Sequence, residues 1–230
     1  MRIGCNLIVK KGYAYQSHFW EYYRPIGSIK SALEALTRYE VDEINIICLD
    51  YQARQDFTES VGSILESFCP TPIIFGGGIN PSNYETLLNV LPSERFSFCS
   101  PILKEEFDII SKIKDRLGVQ AIVGVMPLRK TREYLEIFCP RDKKFLRLTL
   151  EIISKFVEYA DEILIYDIAN DGSKKNFNFD LLDSLKIERN RLIISGGITK
   201  DSVNVARKIG ISAVYVDNST LHVENGRLAL

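Results

Sequence analysis

The apolar residues of this chain fall into eight short, unbroken runs separated by stretches of helical spacing. The runs are Arg2–Val9, Ile44–Leu49, Ile73–Phe75, Arg95–Cys99, Ala121–Val125, Ile163–Ile168, Leu192–Ser195 and Ala213–Val216. They are continuous rather than alternating, the pattern of strands covered on both faces. Between them, Ile29–Tyr39, Ser60–Phe68, Tyr84–Leu91, Glu105–Leu117, Leu146–Tyr159, Phe179–Leu185 and Asp201–Ile209 carry apolar residues at helical intervals. Asn80-Pro81 and Thr199 suit helix starts, and Gly118 and Gly210 suit helix stops. Strands alternating with helices predict the α/β class and a (β/α)8 TIM-type barrel, one domain over residues 1–230. After the eighth run come Asn218-Ser219-Thr220 and then Leu221–Leu230, a stretch too short and too β-like for a full helix. The eighth helix is therefore expected to be shortened or missing, with a partner or the tail Val223–Leu230 over the last strand.

The pattern also repeats. Ile73-Ile74-Phe75-Gly76-Gly77-Gly78-Ile79-Asn80 is echoed by Ile193-Ile194-Ser195-Gly196-Gly197-Ile198-Thr199-Lys200. Asp42-Glu43-Ile44 is echoed by Asp161-Glu162-Ile163, and Arg2–Val9 corresponds to Gln120–Pro127. Offsets of roughly 120 residues predict two fused half-barrels, about 1–118 and 119–230. In each glycine copy a buried strand ends in bare backbone ahead of a helix start, a combination that accommodates a phosphate group. The longest insertions, Lys10–Gly27 and Leu128–Lys144, fall after the first and fifth strands, at the end where barrels keep their active sites. Tyr134–Phe138 and Phe145–Leu148 flank Pro140-Arg141-Asp142 as a small hairpin.

Composition narrows the partners. The formal net charge is −1, which argues against nucleic acid or an anionic membrane as the main partner. No apolar run reaches spanning length, and Met1-Arg2-Ile3-Gly4 reads as a strand start rather than a signal peptide, so a cytoplasmic location is expected. Cys5, Cys48, Cys69, Cys99 and Cys139 are odd in number and scattered, without a CxxC pair. Neither a disulfide framework nor a metal site is expected. No nucleotide-cofactor motif is present either, because Gly76-Gly77-Gly78 is not a GxGxxG turn, so no cofactor is assigned.

Taken in order, several segments resemble the cyclase subunit of imidazole glycerol phosphate synthase, and more distantly the phosphoribosyl-formimino isomerase of histidine biosynthesis. They are Arg2-Ile3-Gly4-Cys5 with Val9-Lys10-Lys11-Gly12, Val41-Asp42-Glu43, Pro72–Ile79, Arg95-Phe96-Ser97, Gly118–Gly124, Asp161–Asp171 with Gly172-Ser173-Lys174, and Leu192–Gly197. The run Asn170-Asp171-Gly172-Ser173-Lys174 is the most specific of them. The resemblance implies a phosphorylated small-molecule ligand spanning the barrel mouth. One phosphate would sit at Gly77, Gly78 and Ser100, the other at Gly196, Gly197 and Asn218.

The family's ring closure uses an acid/base pair of aspartates ending the first and fifth strands. Here those positions fall on Ile8 and Met126, neither of which transfers a proton. Asp171 is the remaining candidate catalytic residue, and equally a turn-forming aspartate before glycine. Asp50 and Asp167 are further acidic candidates near strand ends, while His18 and His222 show no partner in the sequence.

At the other end of the barrel the resemblance implies a glutaminase subunit in a heterodimer. Ammonia would enter through a charged gate of Arg2, Glu43, Arg95 and Glu162, with Glu94 meeting a basic residue of the partner. The reading that follows is a cyclase-like subunit of a glutamine amidotransferase pair without the usual aspartates. It resembles a branch found with surface-polysaccharide genes that also lacks the strand-1 aspartate. Its rivals are an active cyclase of histidine biosynthesis and a non-catalytic phosphosugar-binding subunit.

Overall fold

The continuous apolar runs form strands whose alternate residues enter two different apolar layers. A computed structural model describes residues 1–50, 54–173 and 175–216. In chain order its strands are β1 (Arg2–Lys10), β2 (Tyr13–His18), β3 (Tyr22–Ser28), β4 (Glu43–Cys48), β5 (Ile73–Gly76) and β6 (Ser93–Phe98). They continue with β7 (Ile122–Lys130), β8 (Leu135–Cys139), β9 (Lys144–Arg147), β10 (Glu162–Asp167), β11 (Leu192–Ser195) and β12 (Ala213–Val216). The helices are α1 (Ile29–Arg38), α2 (Arg54–Leu65), α3 (Tyr84–Val90), α4 (Ser100–Leu103), α5 (Phe107–Leu117), α6 (Leu150–Tyr159) and α7 (Lys200–Lys208).

Strands β1, β4, β5, β6, β7, β10, β11 and β12 pair in parallel, and β7–β10 pairing closes them into the expected eight-stranded barrel. On β4, Ile44, Ile46 and Cys48 join the outer core beneath the helices, while Asn45 bonds across the interior. Ile74, Val123, Val125, Leu164, Ile193, Ala213 and Tyr215 form a separate apolar layer inside the barrel. Helix α1 shows how the outer layer is set locally. Ser28 caps it by accepting from Ser31 N at 3.1 Å, and its stripe Ile29, Ala32, Leu33, Leu36 is buried. Thr149 caps α6 in the same way at Ile152 N, with Ile153 and Phe156 buried.

Three features differ from the sequence expectations. Lys10–Gly27 builds a hairpin, β2–β3, that continues antiparallel from β1 just as β8–β9 continues from β7. Phe179–Leu185 forms only a 3-10 turn over Phe179–Leu182 rather than a helix. Asn178 caps that turn, and Lys186, with φ 51°, turns the chain away before a second turn can form. Leu146 belongs to β9, so the helix expected over Leu146–Tyr159 starts after its Thr149 cap. The expectations about Asn218, His222, the tail Val223–Leu230 and the eighth helix lie outside the described residues.

Candidate functional site

At the strand-start end, Arg2, Glu43, Arg95 and Glu162 turn toward the axis and form one closed ring. Arg2 Nε meets Glu43 Oε1 at 2.8 Å, and Arg2 NH2 meets Glu162 Oε2 at 2.6 Å. Arg95 NH1 lies 3.4 Å from Glu43 Oε2, and Arg95 NH2 lies 2.6 Å from Glu162 Oε2. Each carboxylate therefore touches both guanidinium groups, and the four charges cancel. Both glutamates are buried, so the ring is the arrangement that makes their burial tolerable. Burial pushes the Glu162 carboxyl up, but the hydrogen bonds from Arg2 and Ser212 and the charges of Arg95 and Arg2 outweigh it. The group is held below the ordinary carboxylate value.

A polar belt crosses the barrel further in. Ser97 Oγ donates to Asn45 Oδ1 at 3.1 Å, Asn45 Nδ2 to Asn6 Oδ1 at 2.9 Å, and Asn6 Nδ2 to Ser195 Oγ at 2.7 Å. Gly76 makes room for it, since a Cβ there would fall 2.1 Å from Ser97 Oγ. Sequence reasoning assigned this belt no role. Its signal was present as lone polar residues inside apolar runs, in Cys5-Asn6-Leu7, Ile44-Asn45-Ile46 and Phe96-Ser97-Phe98.

At the opposite end the two glycine turns have the same backbone and different surroundings. Gly77 and Gly78 have φ of 84° and 70°, Gly196 and Gly197 88° and 70°. A Cβ on Gly77 would lie 2.0 Å from the Cys48 carbonyl oxygen, and one on Gly196 would lie 2.3 Å from that of Asp167. Only glycine fits either place. The first turn borders a cavity of about 390 Å³ that reaches down to Ser97 and is mostly apolar, with Trp20, Ile47, Ile79 and Val125 in its wall. Ser100, Glu106 and Arg141 supply its polar edge. Arg141 comes from the β8–β9 turn; its backbone N–H donates to Ser100 Oγ at 3.3 Å, and its guanidinium pairs with Glu106. Gly196 and Gly197 do not line this cavity. Gly197 is covered by the segment after β10, so that a Cβ would fall 2.5 Å from the Lys175 carbonyl oxygen. Asn218 lies outside the described residues.

The acidic candidates serve as braces. Asp171 is buried and accepts from Ser17 Oγ at 2.6 Å, Trp20 N at 3.2 Å and Tyr166 Oη at 2.8 Å. It ties the tip of the β2–β3 hairpin to the barrel. Asp50 Oδ2 accepts from Lys11 N at 2.9 Å and Ser60 Oγ at 2.6 Å. Asp167 accepts from Asn178 N at 2.9 Å and Asn170 Nδ2 at 2.6 Å, and burial raises its pKa. His18 lies against Gly172, whose absent Cβ would meet its ring at 2.5 Å. Ile8 is buried two residues before the end of β1, but Met126 needs a correction. Met126 is level with Ile165 and packs in the outer core, whereas Val125 borders the cavity and Pro127 shares the level of Tyr166. A one-residue phase in an apolar run decides which side chain faces the axis, and here Val125 and Pro127 do. Neither is ionisable, so no carboxylate faces the mouth from β1 or β7. Burial pushes the Cys99 thiol in the cavity wall well above its ordinary pKa. Among the described residues no group of His, Cys, Asp and Glu could hold a metal ion, and no helix is long and apolar enough to cross a membrane.

Fold and site together define a TIM-type barrel with a neutralised charged ring at one end and a ligand-sized cavity at the other. The family model for histidine biosynthesis proteins matches residues 8–224, and the chain belongs to that family. A Campylobacter jejuni protein provisionally named imidazole glycerol phosphate synthase subunit hisF2 is 29% identical over 90% of this chain and 84% of its own. A Vibrio vulnificus protein of the same provisional name is 26% identical over 96% of this chain and 84% of its own. The imidazole glycerol phosphate synthase subunit HisF of Natranaerobius thermophilus is 30% identical over 66% of this chain and 62% of its own.

Proposed function

We propose that this chain is the cyclase-like subunit of a glutamine amidotransferase pair, taking ammonia from a glutaminase docked at the strand-start face. The observation that carries the reading is the closed ring of Arg2, Glu43, Arg95 and Glu162 across the barrel axis. A neutral ring excludes ions from the axis yet parts without leaving a net charge behind. The surroundings suit a docked protein. Met1, Leu65, Phe68, Val90, Val119 and Ile209 all sit in the segments that lead into barrel strands, and each is at least two-fifths exposed. Glu94 is exposed beside the ring and would meet a basic side chain of the partner.

At the mouth, Gly77, Gly78 and Ser100 would hold a phosphate group at the edge of the cavity, with Arg141 as the nearest cationic side chain on its wall. Gly196 and Gly197 would take a second phosphate only if the segment over Gly197 moved. Asp171 is bound by three donors, and we assign it to positioning the hairpin rather than to proton transfer. With no carboxylate ending β1 or β7 on the cavity side, the pair would deliver ammonia without the family's ring closure.

Co-purification of a glutaminase and stimulation of its glutamine hydrolysis test the pairing. Ammonia coupling that survives both Glu43→Ala and Glu162→Ala would remove the gate. Rescue of a histidine auxotroph lacking its cyclase would overturn the loss of ring-closing chemistry. Trp20, the single tryptophan, borders the cavity, so quenching of its fluorescence by inorganic phosphate or a sugar phosphate tests the ligand.

A further inference from the structure

Just inside the charged ring stands a buried phenol, that of Tyr215. Tyr215 of β12 is fully buried in the inner layer, level with Gly4 of β1, which is in turn level with Glu43 of β4. Gly4 is what admits it, because a Cβ at that position would fall 2.6 Å from Tyr215 Cε1. Around the ring lie Ile74, Val123, Leu164, Ile193 and Ala213, all apolar. Among the described residues no partner meets the buried Tyr215 hydroxyl at ordinary hydrogen-bonding distance and angle, although the Glu43 carboxylate is near enough to act on its proton. Its proton is held tightly: burial, reinforced by the Glu43 charge, keeps the pKa well above that of an ordinary phenol.

An orphaned buried hydroxyl is destabilising, and phenylalanine would fill the same space without that cost. The hydroxyl is therefore a mismatch with its surroundings unless a small guest completes it. A phenol offers one donor and two acceptor lone pairs, which suits a molecule able both to donate and to accept. The apolar wall disfavours an ion there, and the ring outside it is already neutral. Beyond this layer the polar belt offers the next hydrogen-bonding groups, and Ser97 of the belt also borders the mouth cavity.

We propose that the Tyr215 hydroxyl is a hydrogen-bonding post inside the charged ring for a neutral, water-sized guest, water at rest and ammonia in transit. The ammonia half of this rests on the amidotransferase reading; the post itself does not. Ring, post, belt and cavity then form one ordered series of polar stations through an otherwise apolar barrel.

Two measurements on the isolated full chain test it, with no partner required. Crystal structures of the parent and of Tyr215→Phe should show an ordered guest within hydrogen-bonding distance of the hydroxyl in the first and none in the second. The tyrosine Cζ resonance that Tyr215→Phe removes should shift saturably with ammonium chloride at alkaline pH, where free ammonia is populated, and stay put with trimethylamine. A dry hydroxyl, a hydroxyl bonded to a protein group such as Glu43, or a resonance indifferent to ammonia overturns the proposal. Because neither readout involves a glutaminase, failure to find that partner would strike the pairing and leave this result standing.

Discussion

Strand β10 carries a carboxylate at each end, and the two are held in opposite ways. Glu162 at the start faces two guanidinium groups and a hydroxyl, which outweigh its burial and keep it ionised below the usual range. Asp167 at the finish has neutral donors, Asn178 N and Asn170 Nδ2, and burial wins, raising its pKa. The same fold thus concentrates compensated charge at one face and leaves the other with acids spent on holding loops. A barrel mouth built for proton transfer needs an acid free to exchange its proton with a ligand. Asp171 and Asp167 are instead occupied by hydrogen bonds from the protein itself.

The largest effect is expected at the ring. Glu162→Gln leaves two partly buried arginines short of one counter-charge and should cost about 3 kcal/mol, read from urea denaturation at neutral pH. The sign with pH follows from the lowered folded pKa. The parent's advantage is complete above the ordinary glutamate value of 4.5 and is lost as pH falls through the lower folded value. The gap between parent and variant should therefore close in acid. A gap that widens there would mean the ring does not hold Glu162 ionised.

Asp171→Ala comes next, at about 2 kcal/mol, because the buried Ser17 hydroxyl loses its carboxylate acceptor and the hairpin loses its bonds to Trp20 N and Tyr166 Oη through the same group. This loss should be local. Trp20, whose indole packs edge-on to Tyr166 with centroids 5.0 Å apart, should shift its emission to the red as the hairpin loosens. An Asp171→Ala protein with unchanged Trp20 emission would separate the aspartate from the hairpin and reopen a catalytic role for it.

Asp167→Asn should stay within about 1 kcal/mol of the parent at neutral pH, since it removes a charge that burial penalises while keeping an acceptor. Its pH dependence should run opposite to that of Glu162→Gln. The parent gains stability as pH falls through the raised folded value toward the ordinary 3.8, so the variant loses ground in acid. Two chemical denaturation series at matched pH decide whether the two ends of β10 differ as described.

Much of this contrast was legible in the sequence, and the rest was hidden for physical reasons. Unbroken apolar runs identify strands buried on both faces, which is why the barrel could be read without knowing any contact. The same continuity erases the in/out phase, which is why Met126 was placed at the mouth when Val125 borders the cavity. The hairpin β2–β3 escaped because Tyr13–His18 buries mainly small or polar residues, Ala14, Gln16 and Ser17, and shows no apolar stripe. The ring residues were named through the family resemblance, each being a charge close to the start of an apolar run. The cavity was not, because Trp20, Gly77, Ser100 and Arg141 come from four separate segments that only the closed barrel brings together.

The smallest stability effect is expected at Glu94, and it isolates function from folding at the strand-start face. Glu94 is exposed and takes no part in the ring, so Glu94→Lys should change stability by no more than about 0.5 kcal/mol. If a glutaminase docks over the ring, the same reversal puts a cation where a basic partner residue is expected. Association should then weaken chiefly through a slower on-rate, and added salt should diminish the difference between parent and variant. Binding kinetics at two ionic strengths separate this from damage to the ring, which would lower stability whatever the salt. A Glu94→Lys chain that is fully stable and binds the partner at the parent's rate would move the docking surface away from this edge, leaving the ring without its proposed neighbour.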